Sequence, residues 1–263
     1  MIQKLKILSC LLLMIVSIRS VSQVSKNKAV GKGSITITFE NTINHEEVVL
    51  NDSIYINPFG ERYAIAKLRY YVSNVELHGK STVKDPNRFH LVDEAKPWSR
   101  KFVLPISPGT YNSISFLLGV DSLHNVSGAQ TGALDPLNDM FWTWNSGYVM
   151  AKFEGHSPSS KLPNNTFEYH IGGFSGEYSV LKKVSLDFPL NHSIKVLPGH
   201  SFEIIVEADL TEWWQGVKDI RIAENPLIST PGVLAKAVSD NYGKMFVVQQ
   251  VTEPTSRKIN RGK

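Results

Sequence analysis

The chain has 263 residues, of which 42% are hydrophobic and 20% charged, a composition that excludes a disordered or fibrous protein. Its formal net charge is +4 and its pI about 9.0, but much of that excess sits in the first segment. Lys4 and Lys6 open the chain, Ile7 to Ile18 form an apolar run, and Ser20-Val21-Ser22 supplies small residues before Gln23. This is the layout of a secretory signal peptide over residues 1–22, and the run is too short to span a bilayer comfortably. Removing Lys4, Lys6 and Arg19 takes Lys plus Arg from 28 to 25 against 24 acids. The basic pI is therefore no argument for a nucleic-acid partner. The single cysteine, Cys10, leaves with the signal, and too little apolar sequence precedes it for a lipoprotein cysteine. The mature chain then has no disulfide and no thiolate ligand. Roughly 240 residues remain, enough for one core. The expectation is an exported chain, periplasmic or extracellular, with no membrane insertion once the signal is cleaved.

Residues 23–32 are polar and read as a flexible arm. Gly33 to Glu40 alternates apolar and polar residues, the mark of a half-buried strand, and Glu46 to Asn51 reads as a second. Ile65 to Leu77 reads as one long strand or two with a kink. His90–Asp93 and Lys101–Leu104 are short strands, and Ser107 to Tyr111 is a turn feeding Ile114 to Val120. A loop from Asp121 to Asn138 follows. Gly147 to Glu154 alternates again, with Tyr148, Met150, Lys152 and Glu154 on one side. Phe167–Ile171, Val184–Phe188, Ile194–Val196 and Phe202–Leu210 continue the strands. Two helical stretches stand out: a turn at Thr211–Gln215, and Pro231–Asn241 with Thr230 as cap and Pro231 at the first helical position. Short strands with Pro, Gly and Asn turns predict an all-β, single-domain, antiparallel β-sandwich of immunoglobulin-like type with one or two short helices. The expected domain spans residues 33–250, followed by a flexible basic tail over 251–263.

One stretch is unusual. Met140, Phe141, Trp142, Trp144 and Tyr148 fall within nine residues. A Trp-x-Trp pair in a strand points both indoles to one face, which serves a core or a shaped site. The chain has no glycine-rich phosphate loop, no Gly-x-Ser-x-Gly elbow and no His-Glu-x-x-His helix, which weakens an enzyme reading. None of the eight histidines stands at i, i+2 or i, i+4 from another. A metal site must therefore be assembled from distant strands. His170 stands out because Gly172-Gly173 follow it, where backbone or ligand can come close. His124 and His156 flank the Trp segment. Asp121, Asp135 and Asp139 lack calcium-loop spacing, and Asp135-Pro136 reads as a turn opener. Without cysteine, a transition-metal site depends on imidazole, with Met140 or Met150 as thioethers; imidazole suits copper and zinc, and thioether favours Cu(I).

Gly119-Val120-Asp121-Ser122, Gly132-Ala133-Leu134-Asp135-Pro136, the Met140–Tyr148 string, Lys152-Phe153-Glu154-Gly155 and Tyr169-His170-Ile171-Gly172-Gly173 together resemble the MbnP family. Tyr70–Asn74, Leu91–Asp93, Ala237–Tyr242 and Met245-Phe246 add to the likeness, which covers about residues 33–250. These are exported copper-binding proteins first associated with methanobactin operons and common in Bacteroidetes. The resemblance implies copper, Cu(I) or Cu(II), bound by histidine and by a tryptophan oxidised to kynurenine. It also implies a dihaem partner of the MbnH, cytochrome c peroxidase-like type as oxidant. The matching residues are His170, Trp142 and Trp144, with Trp144 slightly preferred for oxidation and His124 or His156 for a second imidazole. Some relatives carry a histidine in the last strand, where this chain has Val248-Gln249-Gln250. The implied role is copper acquisition or delivery, as the substrate of an enzyme and not an enzyme. The alternative is an exported binding module whose Trp142, Trp144 and Tyr148 form a platform for a carbohydrate or other small ligand. On a third reading the Trp pair is simply core.

Overall fold

The computed structural model describes residues 31–128, 130–143 and 146–253. The expected signal segment, most of the arm, Trp144 and residues 254–263 lie outside them. In chain order the strands are β1 (Gly33–Ile43), β2 (Glu46–Glu47), β3 (Tyr55–Ile56), β4 (Arg62–Gly79), β5 (Val83–Lys84), β6 (Phe89–Asp93), β7 (Lys101–Ile106) and β8 (Gly109–Leu118). Helix α1 (Ser122–Asn125) precedes β9 (Phe141–Thr143), β10 (Gly147–His156), β11 (Thr166–Gly172), β12 (Lys182–Asp187) and β13 (Ile194–Val196). The chain closes with β14 (Ser201–Asp209), β15 (Leu227–Ile228), α2 (Val233–Tyr242) and β16 (Phe246–Thr252).

A smaller sheet runs β16-β14-β1-β2, with β7 also on β1; a larger one runs β12-β8-β4-β10-β11-β15. The sandwich is not wholly antiparallel. β1 lies parallel to β14 from Ser34↔Ser201 to Thr42↔Asp209, because the first strand inserts beside a strand near the end of the chain. β1 buries Ile35, Ile37 and Phe39 on alternate positions, as its alternation predicts. β4 is the spine: residues 64–70 pair with β10 and 72–79 with β8. The two sheets meet through rings, Phe39 and Phe246 of the smaller lying edge-on to Tyr70 and Phe116 of the larger.

Where the smaller sheet no longer covers β4, β10 and β11, a turn and a helix do. Leu210–Trp213 is a short 3-10 helix capped by Asp209, and Trp213 and Trp214 are fully buried against Phe153, Phe167, Tyr169 and Tyr63. The Trp214 indole N–H donates to Tyr63 Oη at 3.2 Å. Helix α2 starts at Val233 and not at Pro231, because Gly232 is still extended at φ 159°, ψ −172°. The expected second strand shrinks to Glu46–Glu47, and β16 runs to Thr252, into the stretch expected as tail. No helix of the described residues is long and apolar enough to cross a membrane.

The long loop after β8 is not loose. It crosses the outer face of β4 and β10 as a strap, held by side chains of those strands on its backbone carbonyls. Tyr71 donates to Ala133 O (3.1 Å), Tyr148 to Leu134 O (2.7 Å), Arg69 to Asn138 O (2.9 Å) and Lys152 to Asp139 O (2.5 Å). Asp121 caps α1 and Asp135 caps the turn Pro136–Asn138, while Asp139 takes a left-handed conformation and turns its carboxylate to Lys67 and Lys152. Asp135 opens a turn, as the sequence predicts.

Candidate metal centre

The strap delivers β9, and with it Trp142, to the outer face of β11. In β11 the side chains of Phe167, Tyr169 and Ile171 enter the core, leaving Glu168, His170 and Gly172 on the other face. A Cβ on Gly172 would meet Trp142 Cζ3 at 2.4 Å and Cη2 at 2.7 Å. The half-buried Trp142 ring is seated on that glycine, one same-face position, roughly 7 Å, along the strand from His170. The glycine after His170 is thus a floor for an indole. Gly147, where β10 begins, has φ 71° and no room for a Cβ, Asn125 Oδ1 lying 2.4 Å from that point. The Asn125 side chain also accepts the Tyr148 N–H at 2.9 Å, which pins the turn after the Trp segment.

An ionic ladder runs across the same face. Lys67 on β4 reaches Asp139 (3.3 Å) and Glu154 (3.1 Å), Lys152 reaches Asp139 (2.9 Å), and His170 Nε2 lies 2.7 Å from Glu154 Oε1. Register explains it: Lys152 stands opposite both Arg69 and His170, and Glu154 opposite Lys67. Burial alone would raise the Glu154 carboxyl, but hydrogen bonds from His170 and Lys67 outweigh it and hold the group below its ordinary range. Asp139 behaves alike, burial opposing and Lys152 and Lys67 prevailing. Loss of water lowers Lys67, yet Glu154 and Asp139 carry it above its usual value.

The other expected site residues are placed elsewhere. His156 ends β10 opposite Thr166, four residues beyond Lys152 and so about 13 Å along the strand. It is exposed, with Nδ1 3.2 Å from Asn164 O. His124 sits in α1, its Nδ1 2.8 Å from Asp121 Oδ1 and its ring edge-on to Phe89. No contact joins either to His170 among the described residues. Met140 and Met150 are fully buried, and Met150 Sδ accepts the Val120 N–H at 3.2 Å beside a register shift in β10. Tyr148 is fully buried under the strap, which removes it from any surface platform. Val248-Gln249-Gln250 lies on β16, in the smaller sheet. Among the described residues no group of three or more His, Cys, Asp or Glu is arranged to hold a metal. Sequence reasoning named His170 but missed Glu154 as its partner and Gly172 as the seat of Trp142.

The family model described as MbnP matches residues 32–233. The chain belongs to the MbnP family. That span contains the strap, Trp142, the ladder and His170. No curated protein matches the sequence. Among solved structures, MbnP from Methylosinus trichosporium is similar, with a TM-score of 0.53 at 15% identity, covering 86% of this chain and 100% of that one. At that identity the likeness is one of fold.

Proposed function

We propose that this protein is an exported copper carrier in which His170 and an oxidised tryptophan of the Trp142–Trp144 pair bind the metal. The observation that carries the reading is the placement of His170 beside Trp142 on one face, made possible by Gly172, within a member of the MbnP family. A donor set at His170 is completed from the Trp142–Trp144 pair and not from His124 or His156. An indole is a donor only. Conversion to kynurenine cleaves the indole C2–C3 bond with addition of two oxygen atoms, and hydrolysis then releases C2 as formate, leaving an aniline nitrogen and a ketone whose lone pairs a soft cation can use. The oxygen comes from peroxide or dioxygen activated by a dihaem, peroxidase-like partner, so this protein is an enzyme's substrate and not itself an enzyme. Its role is acquisition or delivery of copper outside the cytoplasm.

The test is a peptide mass map over residues 135–152 of protein purified from its native host, with copper measured on the same sample. Kynurenine at Trp142 or Trp144 together with bound copper is the expected result. Two intact indoles and no copper would contradict the proposal.

A further inference from the structure

His170 is held by its far nitrogen. Nε2 bonds Glu154 Oε1 at 2.7 Å, whereas Nδ1 has no hydrogen-bond partner among the described residues. Glu154 is itself fixed: its other oxygen lies 3.1 Å from Lys67 Nζ, and Lys152 Nζ stands 3.9 Å from Oε1. A carboxylate surrounded by donors accepts on both oxygens, so the hydrogen between Glu154 and His170 belongs to Nε2. A neutral imidazole with its proton on Nε2 carries its lone pair on Nδ1.

We propose that Glu154 is the positioning residue of this site: it holds His170 as the Nε2–H tautomer, so that Nδ1 is the nitrogen offered to the metal. The rest of the ladder extends the same control. Lys67 and Lys152 both meet Asp139, the residue that precedes Met140 and β9. One set of charges therefore orients the imidazole and sets the entry of the strand carrying Trp142. A carboxylate bonded to the far nitrogen of a ligating histidine fixes ring and tautomer and raises its basicity. The metal half of this inference rests on the copper reading above; the tautomer half stands on the geometry alone.

The experiment uses the 15N-labelled mature chain without metal at neutral pH, read by long-range 1H–15N correlation, with His170 assigned by its loss in His170→Ala. The expected pattern is a protonated Nε2 and a bare Nδ1. In Glu154→Ala the preference collapses to a mixture, and Cu(I) affinity, measured by competition on parent and variant purified from the native host with kynurenine in place, falls about 10–100-fold. Lys67→Met, which leaves Glu154 in place, keeps the tautomer. If Glu154→Ala does not fold, Glu154→Gln serves, since its amide oxygen still accepts from Nε2 and keeps the tautomer without the charge. A parent dominated by Nδ1–H, or a Glu154→Ala variant with tautomer and affinity both unchanged, overturns the proposal. A parent with the expected tautomer that binds no Cu(I) even when purified from its native host with kynurenine in place overturns the copper reading and the Nδ1 coordination with it, and leaves Glu154 as the residue that orients His170.

Discussion

The two faces of β10 and β11 come from alternate residues of the same strands, and they are built for different ends. On the inner face Phe153, Phe167 and Tyr169 pack with Trp213 and Trp214 in a cluster of edge-on rings. On the outer face Lys67, Lys152, Asp139 and Glu154 form a charged ladder that His170 joins by a hydrogen bond, with Gly172 left bare under Trp142. The chain thus has two tryptophan pairs with separate duties. Trp213-Trp214 fills the core, while Trp142 stands half-buried at the end of a strap. Apolar area stabilises wherever it is dehydrated, so the inner face needs only bulk and fit. The outer face needs particular atoms at particular places, and it gives up core volume at Gly172 to obtain them.

Substitutions that act on one face and spare the other sharpen this contrast. The largest effect is expected from Trp214→Ala, at about 3–5 kcal/mol of stability in a urea melt; a loss under 1 kcal/mol would mean the inner cluster is not the core. Gly172→Ala comes next. Its methyl would collide with the Trp142 ring, so the indole must move, at a cost of about 1–3 kcal/mol with a changed Trp fluorescence spectrum. An unaltered spectrum would place Trp142 elsewhere. Tyr169→Phe is expected to be neutral or stabilising by up to about 1 kcal/mol, because its buried hydroxyl has no hydrogen-bond partner among the described residues; clear destabilisation would reveal a bonded hydroxyl.

The smallest effect is the acid limb. Asp139 and Glu154 have folded pKa values below their ordinary 3.8 and 4.5, so the native state binds fewer protons than the unfolded chain. Their contribution is present above those ordinary values and is lost as pH falls through the lower folded ones. The double variant Asp139→Asn, Glu154→Gln should flatten that limb by roughly 0.2–1 kcal/mol, since the pairs are partly exposed. An unchanged pH–stability curve would show that the ladder does not couple to folding.

Much of the inner face was legible from the residues. The alternation of Gly33–Glu40 and Phe167–Ile171 gives strands and buried positions directly, because a period of two maps each side chain to a face. Of Tyr148, Met150, Lys152 and Glu154, expected on one side, Tyr148, Lys152 and Glu154 do share the strap side, while Met150 falls at a register shift in β10 and its Sδ meets the Val120 N–H. Trp213-Trp214 did not stand out, since adjacent residues in a turn have no period to read. The strap is invisible to patterning for another reason: it is held by side chains bonding distant backbone carbonyls, and a polar loop looks the same whether docked or free. Likewise the bond between Glu154 and His170 depends on the register of two strands, which local sequence does not specify. His124 and His156 looked apt because they flank the Trp segment in sequence, yet strand length carries His156 away and α1 turns His124 toward Phe89.

The measurement that bears most directly on the outer face is a Cu(I) competition titration of the host-purified protein against its His170→Ala variant, each checked by thermal melt. Tight binding in the parent, loss of at least an order of magnitude in the variant and nearly equal melts are the predicted results. Equal copper affinity in the two proteins would show that the metal, if bound, is held somewhere other than the ledge beside Trp142.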